Sequence, residues 1–212
     1  MPRYVRPQVR GANVFFTVCL AERGGTLLVD HVDVLREAVK VTRDRRPFGI
    51  DAWVVLPDHM HAVWTLPFDD ANYSERWGAI KARFSKFVRL KLGETVGCKP
   101  THVDQLRTQR SRSKVDKQDA GIWQRRFWEH HIRDEADYAA HLRYCWSNPV
   151  HHGLVEKAGD WPFSSFHREV RLGLADPEFV GELHEGRFGE PVGWKPTLHS
   201  AGPSRQRGRV GL

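Results

Sequence analysis

The feature that most constrains this chain is the run at 52–67, AWVVLPDHMHAVWTLP, in which two apolar stretches flank a Pro-Asp pair. This pattern predicts two β-strands joined by a tight connection. Side chains of the second strand alternate between faces, so His59 and His61 share one face. Two imidazoles at this spacing can share a metal ion, although ordinary strand histidines need none. The alternate positions are apolar and predict a core face that contains Met60, Ala62 and Trp64.

Length and composition indicate a single globular domain, since the 212 residues are 40% hydrophobic and 28% charged. No apolar run approaches the roughly 18 residues of a membrane span, and the N-terminus lacks the pattern of a secretory signal. We therefore expect a cytoplasmic protein with no membrane partner. Three cysteines without CxxC spacing predict reduced thiols: Cys19, Cys98 and Cys145. The net charge of +7 favours a polyanionic partner, unless the protein is merely basic.

Local patterns predict an α+β fold with the order β-α-β-β-α-β, the ferredoxin-like arrangement, and an added C-terminal helix. The predicted strands cover residues 12–20, 49–56, 59–66 and 122–132, and the predicted helices cover residues 30–45, 74–92 and 134–148. Asp30 and Asp134 are the expected N-caps, and Pro149 is expected to end the third helix at Asn148. The first two helices should cover the apolar face of the sheet, which leaves the His59/His61 face for the third.

Residues 1–173 are predicted to form the domain, with a basic insertion at about 93–120 that has no apolar periodicity. Residues 174–212 read as a basic, Gly/Pro-rich tail.

Basic side chains are unevenly distributed along the sequence. They cluster near the N-terminus, on the second helix and in the insertion at 99–118, and a solvated face is the plain alternative to a phosphate-binding surface. The predicted phosphate contacts are Arg3, Arg6, Arg10, Arg76, Lys81, Arg83, Lys86, Arg125 and Arg126. Trp123 and Trp128 are candidates for stacking on bases, with packing in the core as the alternative.

The third helix offers a set of polar side chains on one face. His141, Tyr144 and Asn148 lie three and four residues apart, which places them together on a helix. If that face covers His59 and His61, the site combines two imidazoles, an amide and a phenol. From spacing alone, a helix tyrosine with a buried ring explains Tyr144 as well.

The motifs PDHMHAVW, WQRRFWEHHIRDEADYAAHLRYCWSNPVHHGLV and WPFSSFH are similar to those of a known family. They resemble the transposases of the single-tyrosine HUH nuclease superfamily, in the branch associated with repetitive extragenic palindromic (REP) elements. The resemblance runs from about Tyr4 to Gly173. It departs from the family at 145–147, where Cys-Trp-Ser replaces the usual aromatic or β-branched residues between tyrosine and asparagine.

The resemblance implies an enzyme in which Tyr144 is the nucleophile and a divalent metal, Mg²⁺ or Mn²⁺, is held by His59, His61 and Asn148. It implies cleavage and strand transfer of single-stranded or hairpin DNA through a 5′-phosphotyrosine. Tyr138 competes for the nucleophile's role, but it lies on the packing stripe of its helix and lacks an amide four residues later. The tail past about Phe188 is expected to fold over the DNA or to modulate access to it.

Two alternatives remain open at this stage. The chain could be a non-catalytic binder of structured DNA or RNA. It could also be a zinc hydrolase that uses His59, His61 and a third ligand such as His141, with water as nucleophile. A monomer is favoured, and a dimer is compatible with the sequence.

Overall fold

The computed structural model describes residues 6–93 and 121–181. Four strands form one antiparallel sheet in the order β2-β3-β1-β4. The strands are β1 (Asn13–Cys19), β2 (Gly49–Val55), β3 (His59–Thr65) and β4 (Trp128–His131), and the helices are α1 (Leu27–Asp30), α2 (Val32–Arg45), α3 (Tyr73–Gly93), α4 (Glu135–His151) and α5 (Phe166–Arg171). The predicted α+β class is confirmed, and the strand order agrees with the ferredoxin-like arrangement. No helix in these ranges is long and apolar enough to cross a membrane.

One face of the sheet packs against α2 and α3. Trp64 of β3 stacks on Trp77 of α3, with ring centroids 4.3 Å apart and planes at 16°. Leu35 and Ala38 of α2 belong to the same buried cluster. The prediction that the Met60, Ala62 and Trp64 face is the core of the first two long helices is therefore correct, because alternation along β3 fixes which side chains turn inward.

The other face of the sheet packs against α4. Phe15 of β1 and Val63 of β3 form a second buried cluster with Tyr144 and Cys145 of α4. His59 and His61 lie on this face, as alternation predicts. The third long helix thus covers the histidine pair.

Three predicted boundaries are wrong. The fourth strand covers only Trp128–His131, because Trp123 forms an isolated bridge with Leu20. The first long helix begins at Val32 and follows the short α1, whereas the carboxylate of Asp30 accepts a hydrogen bond from Thr26 and caps nothing.

The third error concerns the end of α4. The helix continues through Pro149 to His151, because the proline removes one backbone donor without ending the helical path. The predicted N-cap at the other end is correct, since Asp134 Oδ1 accepts from the Asp137 N–H at 2.8 Å. The extension carries the next residue, His152, towards β3.

The chain beyond α4 returns to the outer edge of β2. Val55 N–H donates to Phe163 O at 2.9 Å, and Ser165 N–H donates to Trp53 O at 2.8 Å. These bonds cover part of the edge strand, which limits unwanted pairing. The chain then forms α5, and Phe179 packs against Phe166 beyond the predicted boundary at Gly173. The predicted insertion from residue 94 and the tail from residue 182 lie outside the described residues.

Candidate functional site

The histidine pair of β3 forms the centre of the site. His59 and His61 are both buried, and their ring centroids are 5.1 Å apart with planes at 86°. Both imidazoles lie between the sheet and α4. The strand period of two therefore brings two nitrogen ligands close together in a water-poor environment.

His59 is held by a carboxylate from the connection before β3. Its Nδ1 lies 2.6 Å from Asp58 Oδ1, while Asp58 Oδ2 accepts from Gly24 N–H at 2.7 Å and pairs with Arg23 Nε at 3.2 Å. Burial alone would raise the pKa of the Asp58 carboxyl, but the hydrogen bonds from His59 and Gly24 outweigh it and lower that pKa to about 2. Because an ionised carboxylate only accepts, Nδ1 of His59 is the donor in this contact, and Nε2 is the ring nitrogen turned away from Asp58.

His61 is held by its neighbour on β1. Its Nδ1 shares a hydrogen bond of 2.9 Å with Thr17 Oγ1, and the β1–β3 register places these two residues opposite each other. Burial is the main cause that lowers the pKa of His61 well below its ordinary value, and the neighbouring His59 adds to it. His61 is therefore neutral at pH 7, the form in which an imidazole binds a metal.

Tyr144 reaches this pair from α4. Its ring stands edge-on to His61 with centroids 5.1 Å apart, and edge-on to Phe15 at 5.7 Å. The residue is 6% exposed. The ring is thus buried, as expected for a structural helix tyrosine, but it also contacts His61, a histidine of the site.

Tyr138, the competing tyrosine, lies elsewhere on α4 and packs at the edge of the second cluster. Burial raises the pKa of Tyr138 to about 12, and the charge of Asp51 adds to the effect. A phenol with such a pKa is a poor nucleophile at neutral pH.

Asn148 lies one turn after Tyr144 on α4 and is 1% exposed. Its amide lies close enough to His61 to oppose the fall in the pKa of that imidazole. Neither amide atom, however, forms a hydrogen bond of normal geometry within residues 6–93 and 121–181. A buried amide in this state costs free energy unless something else binds it.

His152, which follows α4, is a neighbour of the site that sequence reasoning missed. Its ring centroid is 5.0 Å from that of His59. Burial and the charge of His59 lower the pKa of His152 to about 3, so it is neutral. A crevice of about 10 Å³, the size of one water molecule, is lined by Asp58, His59 and His152 among others. The i+4 spacing from Asn148 was a usable signal, hidden by the expectation that the helix ends at Pro149.

His141 does not join the histidine pair. Its Nδ1 lies 2.8 Å from Asp137 O and 3.2 Å from Asp137 Oδ1. His130 Nε2 lies 2.8 Å from Asp137 Oδ2, and Arg133 Nε pairs with the same oxygen at 3.0 Å. The three residues His130, Asp137 and His141 have the composition of a metal site. In this structure they form a hydrogen-bond network centred on Asp137. Because His141 belongs to that network, it does not fit the role of third metal ligand beside His59 and His61.

One predicted phosphate contact is wrong. Arg76 is 2% exposed, and its guanidinium donates to Pro47 O at 2.8 Å and Asp70 Oδ2 at 2.7 Å. It also donates to the carbonyls of Arg46 and Asn72. Arg76 therefore ties α3 to the loop before β2 and has no surface left for DNA.

The other basic residues differ in exposure. Arg6 is half-buried and pairs with Glu129 Oε1 at 3.1 Å, and Arg83 donates to Thr42 Oγ1 at 3.3 Å. Lys81 Nζ donates to Gln124 O at 3.1 Å. Four of the predicted contacts are exposed: Arg10, Lys86, Arg125 and Arg126. Arg3 lies outside the described residues.

The predicted stacking tryptophans also differ. Trp123 is buried, and its Nε1 donates to Ser85 Oγ at 3.1 Å while its ring packs on Phe84. Stacking on a base is therefore wrong for Trp123. Trp128 is half-buried and stacks parallel to His130 with centroids 5.9 Å apart.

Comparison with known proteins decides the family. The chain is 41% identical over 193 residues to the REP-associated tyrosine transposase of Escherichia coli K12, covering 91% of this chain and 99% of the relative. The chain belongs to the REP-associated tyrosine transposases. A Haemophilus influenzae protein assigned to the same family is 38% identical over 181 residues, covering 85% of this chain and 94% of that protein. No general family model matches the chain.

A solved structure agrees with this family membership. The structure of a REP-associated tyrosine transposase bound to a REP hairpin superposes with a TM-score of 0.72 at 39% identity, covering 91% of this chain and 99% of that one. The resemblance inferred from the sequence motifs is confirmed, and with it the assignment of the chain as an enzyme of the transposase class.

Proposed function

We propose that this transposase cleaves and rejoins single-stranded or hairpin DNA through a 5′-phosphotyrosine on Tyr144. The observation that carries the proposal is the edge-on contact of Tyr144 with His61, beside the second imidazole of β3. A relative of known structure is bound to a REP hairpin, which supports a palindromic DNA substrate here.

The family implies a divalent metal, and the residues present fit one. The Nδ1 atoms of His59 and His61 are engaged by Asp58 and Thr17, which turns each Nε2 away from those partners. The buried Asn148 amide, without a hydrogen bond in the described ranges, supplies an oxygen. We propose that His59, His61 and Asn148 hold Mg²⁺ or Mn²⁺. When bound, the ion would polarise the scissile phosphate and stabilise the negative charge that develops on it.

Tyr144 supplies the nucleophile for cleavage of the phosphodiester. The phenol oxygen of Tyr144 forms a bond to phosphorus and loses its proton. The bond from phosphorus to the 3′ oxygen breaks, and that oxygen takes up a proton, so the leaving group is a 3′-hydroxyl. Rejoining to another 3′-hydroxyl reverses these bonds and needs no ATP. Because Tyr144 is 6% exposed, DNA reaches it through a local opening of this face.

Exposed cations support backbone binding. Lys86 on α3 and the pair Arg125 and Arg126 before β4 are exposed. Lys81 connects the two segments through Gln124 O. We propose that these side chains, with Arg10, neutralise phosphates of the hairpin, which makes affinity strongly dependent on salt.

The test is a denaturing gel of the protein incubated with hairpin DNA and Mn²⁺. The proposal requires a covalent protein–DNA band that is absent with Tyr144→Phe and retained with the matched control Tyr138→Phe. Binding without any band would support the non-catalytic alternative. Cleavage that survives Tyr144→Phe would indicate water as nucleophile.

A further inference from the structure

A groove of about 560 Å³ lies at the outer edge of the sheet, between α2, β2 and residues 162–165. Its volume falls within the roughly 300–1,000 Å³ of typical small-ligand sites. It is separate from the Tyr144 site, because α2 packs on the opposite face of the sheet from α4.

The wall of the groove is fixed by backbone hydrogen bonds. Phe163 O accepts from Val55 N–H at 2.9 Å, and Ser165 Oγ accepts from Trp53 N–H at 2.9 Å. Trp161 Nε1 also donates to Val55 O at 2.9 Å. The Trp-Pro-Phe-Ser-Ser motif, to which the proposed catalytic site gives no role, therefore holds Phe163 rigidly at the edge of β2.

The interior of the groove is apolar and partly aromatic. Phe48, Trp53 and Phe163 line it together with aliphatic side chains of α2. Trp53 is 9% exposed, so only part of its ring meets the groove. Phe163 at the opposite wall is half-buried and presents more of its ring.

The rim of the groove is basic. Three cations, Arg36, Lys40 and Arg43, line it against one carboxylate, Asp44. Arg36 also pairs with the exposed Asp33 at 3.2 Å, and Arg43 Nε donates to Phe48 O at 3.1 Å. Lys40 is exposed and has no ion pair within the described ranges. Aromatic rings below cations match a base attached to a phosphate.

We propose that this groove binds an unpaired nucleotide of the substrate DNA. The base lies against Trp53 and Phe163, and its phosphate lies against Lys40 and the neighbouring arginines. This assignment rests on the proposed function, since it takes DNA as the substrate. It adds a second contact, outside the cleavage site, that distinguishes a hairpin with a single-stranded extension from one without.

The experiment measures binding of the full chain to a DNA hairpin with and without a short thymidine extension, by fluorescence anisotropy at several salt concentrations. Phe163→Leu keeps the wall apolar and removes the ring, and should weaken binding of the extended hairpin about five-fold or more. Lys40→Gln should reduce the slope of log affinity against log salt by about 0.7 for that probe. Arg45→Gln, on the same helix but away from the groove, is the control and should change neither.

A 5-iododeoxyuridine in the extension gives an independent readout, because light should crosslink it to Trp53 or Phe163. Equal affinity for both hairpins, equal weakening of both by Phe163→Leu, or crosslinks only elsewhere would overturn the proposal. The Tyr144-dependent band on the hairpin without extension tests the cleavage proposal separately. If that band forms and the groove variants have no effect, only the groove assignment fails. If it never forms while the groove variants weaken the extended probe, only the cleavage proposal fails.

Discussion

His61 of β3 and Tyr144 of α4 meet edge-on across the sheet–helix interface, with ring centroids 5.1 Å apart. The two residues are 83 positions apart in sequence, so their contact depends on how α4 docks on the sheet. Phe15 contacts both rings: its ring centroid lies 5.6 Å from that of His61 and 5.7 Å from that of Tyr144. The geometry of the phenol is therefore set by packing as much as by polar contacts.

The first prediction concerns the carboxylate behind His59. Asp58→Asn replaces a charged acceptor of the His59 Nδ1–H with a neutral amide, and should lower affinity for Mn²⁺ about 10- to 100-fold. Isothermal titration calorimetry measures the affinity, and circular dichroism checks that the fold is kept. Asp69→Asn, the same change at an exposed position, should leave Mn²⁺ affinity unchanged. Equal affinity of wild type and Asp58→Asn would show that this contact does not support a metal ligand.

Much of the site could be predicted from the sequence because its parts follow local periodicities. Residues 59 and 61 share a face by the strand period of two, and Tyr144 and Asn148 share a face by the helix period. The docking of this helix face on His61 came from resemblance to a family, since spacing alone left a structural tyrosine open.

The features of the site that the sequence did not reveal depend on tertiary contacts, or on the rule that proline ends a helix, which has exceptions. Thr17 reaches His61 only through the β1–β3 register. His152 was hidden because Pro149 was expected to end the helix, and a proline costs one hydrogen bond rather than always ending it. Arg76 looked like a surface base because composition cannot reveal that the carbonyl of Pro47 and the carboxylate of Asp70 surround it.

The second prediction follows from the burial of Arg76. Arg76→Met leaves buried carbonyls and Asp70 without their donor, and should lower the free energy of unfolding by about 3 kcal/mol. Lys86→Met, at an exposed position of the same helix, should change it by less than about 0.5 kcal/mol. Urea denaturation followed by tryptophan fluorescence gives both values. A loss of DNA affinity in Arg76→Met with unchanged stability would restore the phosphate-contact interpretation.

The third prediction concerns acid stability and the network around Asp137. Burial would raise the pKa of Asp137, but hydrogen bonds from His130 and Arg133 outweigh it and hold that pKa well below the ordinary value. The folded-state pKa is thus below the unfolded value of about 3.9, so the carboxylate stabilises the fold at neutral pH. This contribution is lost as the pH falls below about 4 towards the folded-state pKa.

Asp137→Asn should therefore be less stable than wild type by about 2 kcal/mol at pH 7, and the difference should shrink as the pH falls below about 4. Burial lowers the pKa of His141, so protonation of that residue destabilises both proteins as the pH falls below about 6.5. The charge of Asp137 opposes this fall in the pKa of His141, so the comparison retains part of the His141 effect, and only the change below about pH 4 is assigned to the Asp137 carboxyl. Urea denaturation at a series of pH values measures the difference, and one independent of pH would contradict the role given to the Asp137 charge.

The last prediction uses Cys145, next to Tyr144, as a reporter of how the buried site opens. Burial raises the pKa of the Cys145 thiol, and it raises that of Cys19 despite the nearby Arg23. Since the thiolate is the reactive form, both cysteines should resist iodoacetamide at pH 8 in the folded protein and react in urea. Peptide mass spectrometry resolves the two sites.

If DNA reaches Tyr144 through displacement of α4, hairpin DNA should speed labelling of Cys145 and leave Cys19 of β1 protected. Fast labelling of Cys145 without DNA would show that α4 is already detached from the sheet in solution. Unchanged protection of Cys145 in the presence of DNA would show that α4 stays on the sheet and that Tyr144 becomes accessible by another movement.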